Sequence, residues 1–289
     1  MPRAFVLYNP LAGKGKSAEK TKKLYNILTD EIIFCDITKE ETYESVLPDM
    51  QDDDYIVICG GDGTLNRFVN RINEIKHEVY FYPLGSGNDF ARDIDMIKCE
   101  KPFLITEYIK NLPTVTVNGC DTYRFINGVG YGIDGYCCMV GNEKRKKNKK
   151  VNYLLIALKG FINGYTPADA TVTIDGERFE YKKLWLAPTM IGRFFGGGMK
   201  VAPDQERNSG LLSTMIFHDA GKMYALWRFP TIFPGKHIKY KKKIKVFTGR
   251  NISVEFTSPS ALQIDGETIL NVKSYSAEIG VPSKTKGEE

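Results

Sequence analysis

Short apolar runs alternate with helical repeats along the first part of the chain. Ala4–Tyr8, Glu31–Asp36, Tyr55–Cys59 and Val79–Pro83 have the length and near-continuous apolarity of buried strands. Between them, Leu24, Ile27 and Leu28 share one face of a helix predicted to run to about Asp30, with Ser17 placed as its cap. Glu40–Leu47 reads as a polar helical segment. Leu65, Phe68, Val69 and Ile72 mark an amphipathic helix, and Phe103–Asn111 another that Leu112-Pro113 stops. Strands alternating with helices through short turns imply an α/β domain with a parallel, doubly wound sheet.

The pattern changes after about Thr114. Val115–Val117, Tyr123–Val129, Ala170–Ile174, Lys183–Pro188, Leu212–Phe217, Lys245–Thr248, Ile252–Phe256 and Leu262–Ile264 read as strands. Only Val151–Phe161 and Lys222–Phe229 read as helix between them. A mostly β segment with regular turns predicts a sandwich. The chain thus divides into an α/β N-terminal domain over 1–118 and a mostly β C-terminal sandwich domain over 119–272.

Three polar turns follow three of the early strands. Asn9-Pro10-Leu11-Ala12-Gly13-Lys14-Gly15 follows the first. Gly60-Gly61-Asp62-Gly63-Thr64-Leu65-Asn66 follows Tyr55–Cys59, and Gly85-Ser86-Gly87-Asn88-Asp89 follows Val79–Pro83. In an open α/β sheet such turns gather at the carboxyl ends of the strands, where ligands bind. A glycine turn running into a helix presents backbone N–H groups to an anion, and glycine lets the backbone come close to it. Asn88 or Asp89 is placed to cap the next helix. A carboxylate at Asp62 is out of place in an anion site unless a divalent cation bridges it to phosphate oxygens. Gly15-Lys16-Ser17 looks like the end of a Walker A loop, but that motif needs glycine at position 10, which is proline.

The trio of turns resembles the diacylglycerol kinase catalytic domain family, which includes bacterial soluble lipid kinases and sphingosine kinases. Its marks are Asn-Pro-x-x-Gly, Gly-Gly-Asp-Gly-Thr and Gly-Thr/Ser-Gly-Asn-Asp, and all three stand here intact. Gly-Gly-Asp-Gly-Thr alone also resembles NAD kinases and phosphofructokinases. Phe125–Gly130 and Phe195–Pro203, with its Gly-Gly-Gly and Ala-Pro, extend the resemblance over nearly the whole chain. It implies a lipid kinase fold in which a C-terminal segment, here 273–289, returns to complete the first domain. It also implies ATP as phosphate donor and Mg2+, with Asp62 holding the metal on the nucleotide phosphates and Lys14 a point charge near them. Asn9, Pro10, Gly13, Gly60, Gly61, Gly63, Thr64, Asn66, Gly85, Ser86, Asn88 and Asp89 would line the nucleotide, with Thr38 a weaker candidate.

Ile-Asp-Gly-Glu occurs twice, at 174–177 and 264–267, and Asp-Gly between alternating strands signals a tight type I′ hairpin. By residues alone both copies read as turns. The resemblance assigns the family's general base to the late copy, at Glu267, with Asp265 as fallback or turn-orienting residue. Several relatives carry a structural magnesium in an Asp-x-x-Asp-Gly-Leu segment. Here that segment is Glu206-Arg207-Asn208-Ser209-Gly210-Leu211, so one of two hard ligands is lost and a metal at Glu206 and Leu211 is not expected.

Composition adds limits. The 289 residues carry a net charge of +5 and an ordinary globular content of apolar residues. No apolar run is long enough to span a membrane, and no secretory leader is evident, so a cytoplasmic protein is expected. The six cysteines lack framework or metal spacing and read as reduced thiols. Two basic blocks, Lys144–Lys150 and Lys239–Lys245, read either as solvated lysines, the second on a sheet edge, or as contacts to anionic lipid headgroups. No motif supports nucleic acid binding. The expected protein is an ATP-dependent kinase of a membrane lipid, most simply diacylglycerol, peripherally bound at an anionic membrane surface; a homodimer stays open. The alternatives are a kinase of a soluble substrate such as NAD, or a catalytically weak lipid- or nucleotide-binding regulator.

Overall fold

The structure, a computed structural model, describes residues 2–10, 16–39, 45–72, 74–147 and 149–280. It divides between Leu112 and Pro113 into two compact units, somewhat before the expected boundary at 118.

The first unit holds β1 (Arg3–Tyr8), α1 (Lys16–Thr21), β2 (Glu31–Asp36), β3 (Tyr55–Gly60), α2 (Asp62–Arg71), β4 (Val79–Pro83), α3 (Asp89–Asp93), β5 (Phe103–Leu104) and α4 (Thr106–Ile109). Its sheet has the order β2-β1-β3-β4-β5. The first four strands are parallel, and β5 joins antiparallel to β4. The chain steps from β1 outward to β2 and then back past β1 to β3. The doubly wound switch point therefore lies between β1 and β3, where such sheets bind ligands. Ala4, Val6, Val57 and Ile58 are wholly buried, as strands covered on both faces require.

Some elements differ from expectation. The helix expected to reach Asp30 stops at Thr21 and tightens into a 3₁₀ turn over Lys22–Asn26. Ser17 is not its cap but lies inside α1, buried. The helix expected over 103–111 is split, because Phe103 and Leu104 pair with β4 and Thr106 Oγ1 accepts the N–H of Val79 at 2.8 Å. Most of the polar segment 40–47 lies outside the described residues.

The second unit contains β6 (Thr114–Val117), β7 (Asp121–Arg124), β8 (Gly128–Tyr131), α5 (Ile133–Lys146), α6 (Tyr153–Lys159), β9 (Ala168–Ile174) and β10 (Glu177–Leu184). It continues with β11 (Thr189–Met190), β12 (Phe194–Phe195), β13 (Met199–Lys200), β14 (Leu212–Phe217), α7 (Lys222–Arg228), β15 (Ile244–Gly249), β16 (Asn251–Ile264) and β17 (Glu267–Glu278). Ten strands form one hydrogen-bonded sheet, β15-β14-β11-β8-β16-β17-β6-β7, with β9 joined to β16 and β10 to β9. The register of β16 breaks between Glu255 and Ser260, around Pro259. Its first half pairs with β9 and its second with β8. This break lets the sheet fold over itself, so Val172, Val254 and Phe256 share a core with Val129, Leu212 and Leu262. That is the expected sandwich. Ser274–Glu278, expected in the first unit, instead extends β17 in the second, pairing with β16 and β6.

A second core joins the sheet to its helices through Ile133, Ile156, Phe161, Trp185 and Phe229. The sequence reading missed α5. Its Gly135 has no room for a side chain, since a Cβ there would come to 1.9 Å from the Ala261 carbonyl oxygen. Glycine thus serves helix–strand contact here rather than breaking the helix.

Candidate active site

The carboxyl ends of the parallel strands are level, with Tyr8 opposite both Asp36 and Cys59, and Gly60 opposite Pro83. The turns after these strands therefore emerge side by side. Asn9 and Pro10 lie on the first; Gly13 and Lys14 lie outside the described residues. Thr38 follows β2, and its N–H and hydroxyl both donate to Asp36 Oδ1, at 2.8 and 2.7 Å. Those two bonds hold the Asp36 carboxyl below its ordinary range.

The turns after β3 and β4 pack backbone on backbone. A Cβ on Gly85 would sit 2.6 Å from the Cα of Gly61, and one on Gly60 would sit 2.3 Å from Thr64 Oγ1. Leu84 donates its N–H to the Gly60 carbonyl at 2.7 Å. Only glycine permits this approach. Asp62 completes the clasp: its two oxygens accept the N–H groups of Asp89, at 3.0 Å, and Phe90, at 2.9 Å. Neither Asn88 nor Asp89 caps α3 through its own side chain; the capping carboxylate comes from the other turn. Asn88, at φ 49°, donates to the Gly85 carbonyl at 2.9 Å. Its Oδ1 is buried without a partner among the described residues, beside the point where a Gly85 Cβ would intrude. Ser86 is exposed at the turn's tip, while Asn66 is buried on α2.

This cradle suits a nucleotide. Glycines leave backbone room, and one buried acceptor awaits a donor. For magnesium the fit is partial. Among the described residues no group of three or more His, Cys, Asp or Glu side chains gathers to hold an ion. Asp62 is one carboxylate, already accepting two N–H groups. It suits an ion held mainly by nucleotide phosphates and water, as magnesium commonly is.

In the second unit both Ile-Asp-Gly-Glu copies are two-residue hairpins. Ile174 pairs with Glu177 and Ile264 with Glu267, and each aspartate has positive φ, 49° at Asp175 and 47° at Asp265. Each uses its carboxylate as a backbone acceptor. Asp175 Oδ1 takes the N–H of Arg250 and of Asn251, whereas Asp265 takes three, from Ile126 at 2.6 Å, Asn127 at 2.8 Å and Gly128 at 3.0 Å. Asp265 is thus a turn-orienting residue, and Glu267 is exposed beside it. Two partners were not foreseen. Gln263 Oε1 accepts the Gly266 N–H at 2.7 Å, and its Nε2 donates to Asp134 Oδ2 at 3.4 Å. Burial pushes the Asp134 carboxyl up to about 7. A glutamine two residues before Asp265, on the buried side of a strand, was the legible signal for this network.

The segment that the resemblance marks for a structural metal is bridged by protein hydrogen bonds. Gln205 Nε2 donates to the carbonyls of both Glu206 and Leu211, at 2.9 Å each, and its Oε1 accepts Ser213 Oγ. Ser209 Oγ adds a bond to the Glu206 carbonyl at 2.8 Å. Gln205 thus bonds both carbonyl oxygens that the resemblance marks for the metal.

Residues 3–116 match the diacylglycerol kinase catalytic domain model, and 127–279 match the YegS C-terminal NAD kinase beta sandwich-like domain. The chain belongs to the family of the YegS C-terminal NAD kinase beta sandwich-like domain, whose model covers more than half of it, and its first unit matches the diacylglycerol kinase catalytic domain. This family member is 26% identical over 284 residues to a diacylglycerol kinase of Bacillus subtilis, covering 92% of this chain and 90% of that one. It is 25% identical over 317 residues to a diacylglycerol kinase of Staphylococcus carnosus, covering 99% and 97%. A crystal structure described as a diacylglycerol kinase from Bacillus anthracis superposes with a TM-score of 0.65 at 18% identity, covering 96% and 94%. The fold is therefore that of the lipid kinases, and the chain is lipid-kinase-like. Among the described residues no helix is long and apolar enough to cross a membrane.

Proposed function

We propose that this chain is an ATP-dependent lipid kinase that phosphorylates a hydroxyl of a membrane lipid, diacylglycerol first among them, while bound peripherally to the membrane. The observation that carries the reading is the clasp of Gly60–Thr64 on Gly85–Asp89 through Asp62, which fixes a glycine-lined cradle at the carboxyl ends of β3 and β4, beside the sheet's switch point. Phosphoryl transfer asks the protein mainly for positioning and charge neutralisation. Turn N–H groups and Asn88 hold the nucleotide, and Asp62 would hold the magnesium that offsets phosphate charge. The lipid hydroxyl oxygen bonds to the γ-phosphorus as the bond to the β-phosphate oxygen breaks. ADP leaves, and the hydroxyl proton passes to the Glu267 carboxylate. Asp265 keeps its hairpin in place through three backbone N–H groups. The late Asp265-Gly266-Glu267 and the Asn9-Pro10 turn favour a lipid acceptor over NAD. The test is thin-layer analysis of products from labelled ATP and a lipid panel, with NAD beside it. A labelled phosphatidic acid spot supports the reading, and labelled NADP with no lipid product refutes it.

A further inference from the structure

The second unit has a face that water alone does not explain. Helix α6 reads Tyr-Leu-Leu-Ile-Ala-Leu-Lys and runs directly into the turn Gly160–Gly164. It is apolar nearly all round, a composition that belongs to a helix buried on every side. Yet only Ile156, Ala157, Gly160 and Phe161 are fully buried. Leu154 and Leu155 are each 46% exposed and Ile162 51%. Helix α7 lies against the same turn, with Lys222 Nζ donating to the Ile162 carbonyl at 3.0 Å. Beneath the pair, the rings of Phe161 and Phe229 stand 5.2 Å apart. Met223 and Trp227, one helical turn apart, are left outward at 65% and 74% exposure, with Phe233 at 40% just beyond. Single exposed apolar residues are ordinary; six gathered on adjoining helical segments are not.

The two segments that form this face carry charge of one sign. From 144 to 168 the chain carries seven Lys or Arg and no Asp or Glu, and from 220 to 250 nine and none. Arg145 stacks over Tyr153 at the start of α6, and Arg228 of α7 over Tyr240. Lys146, Lys147, Lys149, Lys150, Lys159, Lys241 and Lys242 are all exposed. An apolar face with an outward tryptophan and a basic surround has the make-up of an interfacial membrane-binding surface.

We propose that the face formed by Leu154, Leu155, Ile162, Met223, Trp227 and Phe233 docks on an anionic lipid bilayer, its apolar side chains entering the headgroup boundary while the surrounding lysines meet lipid phosphates. A second copy of the chain is the poorer occupant. A symmetric interface would set each basic surround against its own duplicate. An anionic bilayer neutralises that charge and covers the apolar side chains at once. The proposal deepens the lipid-kinase reading by naming where the substrate's bilayer is met.

Trp227 supplies the assay. The other tryptophan, Trp185, is buried and bonded through Nε1 to the Ala220 carbonyl, so a change of emission on adding lipid reports Trp227. The full chain, without nucleotide, is mixed with vesicles of phosphatidylcholine, with and without phosphatidylglycerol. Anionic vesicles are expected to blue-shift the emission, brominated lipid to quench it, and added salt to weaken binding. The double substitution M223Q/W227Q, followed by sedimentation, is expected to lower the partition coefficient about tenfold or more, each tenfold being about 1.4 kcal/mol. Its turnover on detergent-dispersed lipid is expected to match the unsubstituted chain. Undiminished vesicle binding by M223Q/W227Q, equal binding to neutral and anionic vesicles, or a blue shift that follows protein concentration without lipid would each overturn the proposal. Because binding is read without ATP, an inactive chain that still shows the shift would refute the kinase reading and leave the docking face standing.

Discussion

Asp62→Asn separates what Asp62 does for the fold from what it does for phosphate chemistry. The aspartate accepts two backbone N–H groups, from Asp89 and Phe90, one on each oxygen. Asparagine keeps one of those acceptors and turns an NH2 toward the other N–H. One donor at the start of α3 is then left unpaired in a partly buried turn, at a cost of about 1–3 kcal/mol. That cost is the expected loss from these two bonds. For a unit the size of the first, it corresponds to a fall of about 4–13 °C in melting midpoint. Calorimetry of the full chain reads that shift. Product analysis with magnesium and ATP, well below the lowered midpoint, reads transfer, which is expected to be lost. An unchanged midpoint would refute the clasp, and near-normal turnover in a folded variant would refute the metal-holding role.

Other outcomes follow from the second unit. Glu267→Gln is expected to cut turnover about 10²–10⁴-fold, the usual contribution of a placed general base; Glu177→Gln, on the exposed early hairpin, is expected to leave it intact, and equal rates for both would remove the base assignment. Chelation with EDTA is expected to leave the melting of the second unit unchanged, because Gln205 already occupies the carbonyls of Glu206 and Leu211. Gln205→Ala is expected to lower that midpoint, and Ser209→Asp to raise magnesium occupancy; a midpoint that falls on chelation of the unsubstituted chain would refute this. Asp134, raised by burial from 3.8 to about 7, binds its proton more tightly folded than unfolded. Its contribution is therefore complete below about pH 4 and is lost as pH rises toward 7, by up to about 4 kcal/mol. Asp134→Asn is expected to flatten stability between pH 4 and 7 in urea titrations, and an unaltered slope would refute the assignment.

The first unit was largely legible because its strands are apolar on both faces and its turns are built of glycine, asparagine and aspartate. Residues forced by backbone geometry announce themselves in sequence. The bonds those residues make across turns do not. That Asp62 caps a helix begun at Asp89 needs two strand ends brought level, a long-range fact. The same holds for Gln205, Gln263 and Asp134, whose hydrogen bonds form only when separate segments are brought together. Helix α5 escaped because two of its glycines signal a break locally yet serve close packing; a Cβ on Gly141 would come to 2.6 Å from the Tyr153 ring. Strand β17 escaped in part because its second half looked free to join the other unit. The two Ile-Asp-Gly-Glu copies differ by what surrounds them, three N–H groups against two, and no local pattern carries that difference.

The placement of β16 and β17 also bears on how the protein is made. These strands lie at the centre of the second sheet, between β8 and β6, yet are the latest of its strands along the chain. During translation the residues of the first unit are all made by Leu112, and domains generally fold as units, the N-terminal one first. Strands β6 and β8 must then wait for residues 251–278. At 5–20 residues per second that delay is about 10–30 s, with Val115, Val117 and Val129 lacking their eventual cover. The second unit is thus the part of the newborn chain most in need of a chaperone. Truncation within β17 is expected to cost the whole sandwich rather than a fraying end.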